Sequence, residues 1–129
     1  MLRLALVGEA AFGIDERELA PGASGYTFDT LCSLAKDFPW HDLVLVMGAD
    51  QYAKRQSWHR WPDLEKRFRI AVASRPDFPA PEAKATPIGF PPSAISASEI
   101  RARIGRGGDV AAMLPASVLG YLRTHGLYR

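Results

Sequence analysis

Three observations predict an α/β fold built on an open parallel sheet with flanking helices. Leu43-Val44-Leu45-Val46-Met47 is an uninterrupted apolar run of strand length, the pattern of a parallel strand buried on both faces. Ile70-Ala71-Val72-Ala73 repeats that pattern about one crossover further along. Around these runs lie stretches with helical apolar spacing, such as Phe28, Leu31, Leu34 and Ala35. Helices alternating with buried strands imply crossover connections in a parallel sheet.

The elements follow in chain order. Leu2 to Ala10 has helical apolar spacing, with no room for a cap before it. Phe12 to Glu16 reads as a short strand, and Pro21-Gly22-Ala23-Ser24-Gly25 as a loop. Tyr26 to Phe38 is predicted as a helix closed by Pro39. After the first apolar strand, Gly48-Ala49-Asp50 turns into a short helix. Pro62 suits the first position of a helix over Asp63 to Phe68. The second apolar strand ends at Ser74-Arg75-Pro76, and residues 77–85 form a loop. Pro87 to Phe90 is a weak strand, 97–104 a helix ended by Gly105, and Pro115 opens a last helix that Gly126 stops after His125.

Length and composition bound the function. A chain of 129 residues supports one core, so a single domain over 1–129 is expected. The net charge of +2 comes from scattered basic residues, which suits a phosphorylated metabolite better than a polynucleotide. The lone Cys32 reads as a small buried hydrophobe in a reducing compartment. No apolar run approaches a membrane span, and the first ten residues lack a secretory pattern, so a cytoplasmic location is expected. His41, His59 and His125 lie far apart without other ligands at suitable spacing, so no metal site is expected.

The most informative segment is Ile95-Ser96-Ala97-Ser98-Glu99-Ile100-Arg101. Ser96 with Glu99 has the form of a capping box, Ser96 as N-cap and Glu99 as reciprocal partner. The unpaired N–H groups at a helix start attract phosphate, and Arg101 on the second turn adds a planar two-pronged donor. A capping box alone is more often just a well-started helix.

In order along the chain stand Tyr26-Thr27-Phe28-Asp29-Thr30-Leu31, Met47-Gly48-Ala49-Asp50, Trp58-His59-Arg60-Trp61, Arg75-Pro76, the 95–101 segment, and Leu114-Pro115 through His125-Gly126-Leu127-Tyr128. Together they resemble the bacterial nicotinate-nucleotide adenylyltransferases of the HxGH nucleotidyltransferase superfamily, essentially from end to end. The resemblance implies a Rossmann-like sheet and attack of nicotinate mononucleotide on the α-phosphorus of ATP, giving deamido-NAD and pyrophosphate. ATP is then a substrate that carries Mg²⁺, with small nucleotides as partners, no nucleic acid, and a homo-oligomer allowed. By the same resemblance Ser96, Ser98 and Arg101 hold the ATP phosphates, Ile95 lies near adenine, and Gly48 and Asp50 meet a ribose. Tyr26 and Thr27 meet the nicotinate ring and its carboxylate, Trp58 stacks on that ring, and Arg75 lies near the phosphates. The structural alternatives are Asp50 as a plain helix cap, Tyr26-Thr27 as a plain helix start, Trp58 and Trp61 as ordinary core residues, and Arg75 as a solvated or structural residue.

No His-x-Gly-His occurs in these 129 residues. The family's Gly-rich turn and its histidines are therefore unmatched, and no catalytic residue is assigned. Met1-Leu2-Arg3-Leu4-Ala5-Leu6 resembles the helix after the family's second strand, so the N-terminal strand-helix-strand is expected to be missing. Edges left unpaired by that loss would cost roughly 1–3 kcal/mol per orphaned backbone group. The expectation is an incomplete adenylyltransferase, from a start codon read too late, with little or no catalysis. The alternative is a catalytically inactive chain that binds nucleotide or completes its sheet with a partner.

Overall fold

The computed structural model describes residues 1–74, 78, 84–89 and 95–129. The chain forms two compact units, one from Glu16–Ser93 and one from Met1–Asp15 with Ala94–Arg129.

The first unit holds a three-stranded parallel sheet in the order β1-β2-β3, with β1 Val44–Gly48, β2 Arg69–Ala73 and β3 Thr86–Ile88. Helix α2, Thr27–Asp37, buries Phe28 and Leu31 and ends at Phe38, where the following Pro39 disfavours helical backbone. β1 runs into α3, Ala49–Ala53, then a 3₁₀ turn at Arg55–Ser57 and α4, Trp61–Arg67, before β2. This is the helical crossover that parallel strands require. Pro62 is the second residue of α4, inside the first turn, where its missing N–H costs nothing.

The core gathers on one face of the sheet. Met47, Ile70 and Val72 pack with Phe28, Leu31, Tyr52, Trp61, Leu64 and Phe68. Leu64 and Val72 are fully buried. The prediction that both apolar strands are buried on both faces holds for Ile70, Ala71 and Val72 but fails for β1. Val44 is exposed and Val46 is 63% exposed, because β1 pairs only with β2 and its second face is uncovered among the described residues.

The second unit contains α1 Leu2–Ala5, α5 Ala97–Gly105 and α6 Ala116–Thr124. Among its described residues Val110, Val118 and Leu122 are buried. The Ser117 hydroxyl donates to the Leu4 carbonyl at 3.0 Å and ties α6 to α1. As predicted, α6 stops at Gly126, whose φ of 59° lets the Leu127 N–H reach the Leu122 carbonyl at 3.1 Å.

Two predicted elements are corrected. The helix expected over Leu2 to Ala10 closes after Ala5, and Gly8 has a φ of 90° that ends any helical continuation. The strand expected at Phe12 to Glu16 is irregular, with Phe12 exposed, because no strand pairs with it. Cys32, predicted buried, is half-buried on the flank of α2, where Arg67 donates to its sulfur at 3.3 Å. The predicted strand end at Phe90 lies outside the described residues.

Candidate functional site

In open parallel sheets the carboxyl ends of the strands are where ligands settle. Gly48 ends β1 there with φ −75° and ψ 152°, an extended conformation any residue can adopt. Gly48 is the N-cap of α3, so Asp50 is not the cap; it sits in the first helical turn, where a carboxylate meets the positive end of the helix dipole. Its Oδ2 accepts from Gln51 Nε2 at 3.2 Å, and the side chain is half-buried.

A second cluster forms where α2 begins. Tyr26 is the N-cap of α2 and Thr27 its first residue. The Ser24 hydroxyl accepts from the Tyr26 N–H at 3.2 Å and donates to Asp29 at 2.7 Å, fixing this start. Trp58 follows the Arg55–Ser57 turn in extended backbone and is half-buried. It packs edge-on against Trp61, with centroids 6.1 Å apart and planes at 84°. Trp61 is a core residue, edge-on also to Tyr52, as its structural alternative held. Arg60 adopts left-handed backbone at φ 56°, pairs with Asp63 at 2.8 Å, and lays its guanidinium over the Phe28 ring at 4.2 Å. His59 stacks on Tyr26 with centroids 4.1 Å apart. Tyr26 is thus joined to His59, whereas Trp58 packs with Trp61 against the core, and these are two separate ring pairs. His59 and Arg60 stood in the quoted motif, but their partners in α2 are remote in sequence.

The other unit carries the capped helix. The Ser96 hydroxyl accepts from the Glu99 N–H at 3.1 Å, as a capping serine should. The reciprocal half differs from expectation, because the Glu99 carboxylate turns to Arg103 at 3.7 Å and Arg106 at 3.9 Å. Those two cations outbid a backbone N–H for a carboxylate on the same helix face. Ile95 precedes the cap and is exposed. Arg101 reaches the Ser98 hydroxyl at 3.4 Å, so Ser98 and Arg101 share one side of the first two turns. Arg75 lies outside the described residues.

An open cavity of about 670 Å³ in this same unit is lined by Ile104, Gly108, Val110, Leu119, Leu122 and Arg123 among others, and by none of the predicted site residues. Among the described residues no three His, Cys, Asp or Glu side chains are grouped to hold a metal. No described helix is long and apolar enough to cross a membrane.

No family model matches the chain. A probable nicotinate-nucleotide adenylyltransferase from Laribacter hongkongensis is 38% identical, covering all of this chain and 70% of that protein. One from Bordetella petrii is also 38% identical, covering all of this chain and 71% of that protein. The solved nicotinic acid mononucleotide adenylyltransferase of Plasmodium falciparum, complexed with APC, superposes with a TM-score of 0.68. It is 20% identical and overlaps 80% of this chain and 58% of its own, a likeness of fold. The same Plasmodium enzyme complexed with NaAD gives a TM-score of 0.67. With an α/β parallel sheet, the expected motifs in order, and relatives of this identity matched over its whole length, the chain belongs to the nicotinate-nucleotide adenylyltransferase family.

Proposed function

We propose that this chain binds nicotinate mononucleotide and ATP and serves the transfer of AMP from the second to the first. In that reaction an oxygen of the acceptor's 5′-phosphate bonds to the α-phosphorus of ATP. The bond from that phosphorus to the bridging oxygen breaks, pyrophosphate leaves, and deamido-NAD remains. No protein nucleophile is needed, so catalysis rests on positioning and on balancing charge over the phosphates.

The observation that carries this reading is the identity of the chain with nicotinate-nucleotide adenylyltransferases over its whole length; the exposed Tyr26 ring and the half-buried Trp58 are flat faces of the kind a heteroaromatic ring stacks on. Trp58, supported edge-on by Trp61, would stack on the nicotinate ring, and Tyr26 and Thr27 would meet the ring and its carboxylate. Asp50 would accept hydrogen bonds from ribose hydroxyls at the end of β1. Gly48 would let a ribose approach the strand end, its extended backbone being one that any residue can adopt. The start of α5 would hold the ATP phosphates through its N–H groups, Ser96, Ser98 and Arg101, with Ile95 beside adenine. Arg75 would add charge near the phosphates. Mg²⁺ would travel with the ATP phosphates, as the family resemblance implies.

Calorimetric titration of the 129-residue chain with each nucleotide, followed by a pyrophosphate-release assay with both, tests this. Binding of both with release supports transfer by this chain; binding without release leaves a nucleotide-binding chain; binding of neither overturns the reading. Asp50→Ala should weaken ATP by about tenfold, the scale of one or two hydrogen bonds to a charged group.

A further inference from the structure

The Tyr26 and His59 rings stack face to face, with centroids 4.1 Å apart and planes 23° apart. Tyr26 is 49% exposed, and no other ring stacks on it among the described residues. An exposed tyrosine left alone exchanges between staggered side-chain wells. The backbone on either side of His59 is held. Just before His59, Trp58 packs edge-on against the buried Trp61. Just after it, Arg60 is held by Asp63 at 2.8 Å and by the Phe28 ring at 4.2 Å. Both rings therefore stand on held backbone, that of Tyr26 by the Ser24 hydroxyl and that of His59 by its neighbours, and the stack ties each ring to the other.

We propose that His59 is a positioning residue for the acceptor nucleotide: its imidazole packs on the Tyr26 ring and holds that ring's orientation before the ligand arrives. This rests on the nicotinate reading of Tyr26 and Trp58 given above. A ring already oriented need not be ordered on binding, so the gain appears in affinity for the nicotinate-bearing ligand. ATP, assigned to other residues, should not register it. What the role requires of residue 59 is a flat face, so phenylalanine should serve where alanine fails.

Calorimetry on the 129-residue chain, with nicotinate mononucleotide and ATP titrated separately, decides the matter. His59→Ala should weaken the acceptor nucleotide by about three- to tenfold, the scale of one lost aromatic stack. ATP affinity should stay within about twofold, and His59→Phe should recover most of the acceptor affinity. In the ligand-free chain, proton NMR should show the His59 ring protons shifted upfield by the tyrosine ring, and Tyr26→Leu should remove that shift. Acceptor affinity unchanged by His59→Ala, no rescue by phenylalanine, or no ring shift each overturns the positioning role alone. Absence of acceptor binding in the unsubstituted chain overturns the nicotinate reading and the positioning role with it. If His59→Ala fails to fold, His59→Leu against His59→Phe makes the same comparison of an aliphatic with a flat side chain.

Discussion

Arg101 offers the sharpest trial of the nucleotide reading at the scale of single residues. It lies on the exposed side of α5 and touches the Ser98 hydroxyl, so its removal leaves no cavity. Arg101→Ala should weaken ATP by roughly 10- to 100-fold in a titration, the range for a hydrogen-bonded charge, with the melting temperature nearly unchanged. Arg101→Lys should restore only part, because an ammonium lacks the planar fork. Core residues behave oppositely. Leu64 is fully buried, and Leu64→Ala should cost about 3–5 kcal/mol in a urea titration. Val46→Ala, on the uncovered face of β1, should cost about 0.5 kcal/mol or less. Sequence could not separate Leu64 from Val46, since both are aliphatic within periodic or apolar runs. Their difference is set by which face another element covers. Trp61 as core and Asp50 beyond the strand end were readable from residue type and position, whereas the Tyr26–His59 stack needs folded coordinates.

Among the elements, those with both a periodic interior and a marked end were legible. α2 with its Pro39 stop, α6 with its Gly126 stop and α5 with its Ser96 cap carry both. The cap itself can be measured: Ser96→Ala should lower stability by about 1 kcal/mol, and Ser96→Asp should keep most of it while disfavouring phosphate. A thermal melt reads the first effect and an ATP titration the second. Where an element depends on a remote partner, local pattern misleads. Phe12 to Glu16 has strand-forming residues, yet a strand exists only when another backbone satisfies its N–H and C=O groups. The Glu99 carboxylate illustrates the same point within a helix, since two arginines further along compete for it.

At the scale of the molecule, burial is unevenly shared between the two units. Glu16–Ser93 holds the sheet and most buried residues, whereas α1 and α5 bury none. Hydrogen exchange should therefore find the slowest amides in β2, at Ile70 and Val72, and markedly faster exchange in α1 and α5. Comparable protection in α5 and β2 would contradict this distribution. Alternating apolar runs and helical spacing indicated the α/β class and the order of motifs a family resemblance, because periodicity, caps and short motifs are written in neighbouring residues. Which apolar strand face is covered, which imidazole meets which phenol, and whether a strand-like run becomes a strand were decided by tertiary structure alone. Those outcomes depend on partners distant in sequence, and the free energy of burial and backbone pairing belongs to the contact rather than to either residue.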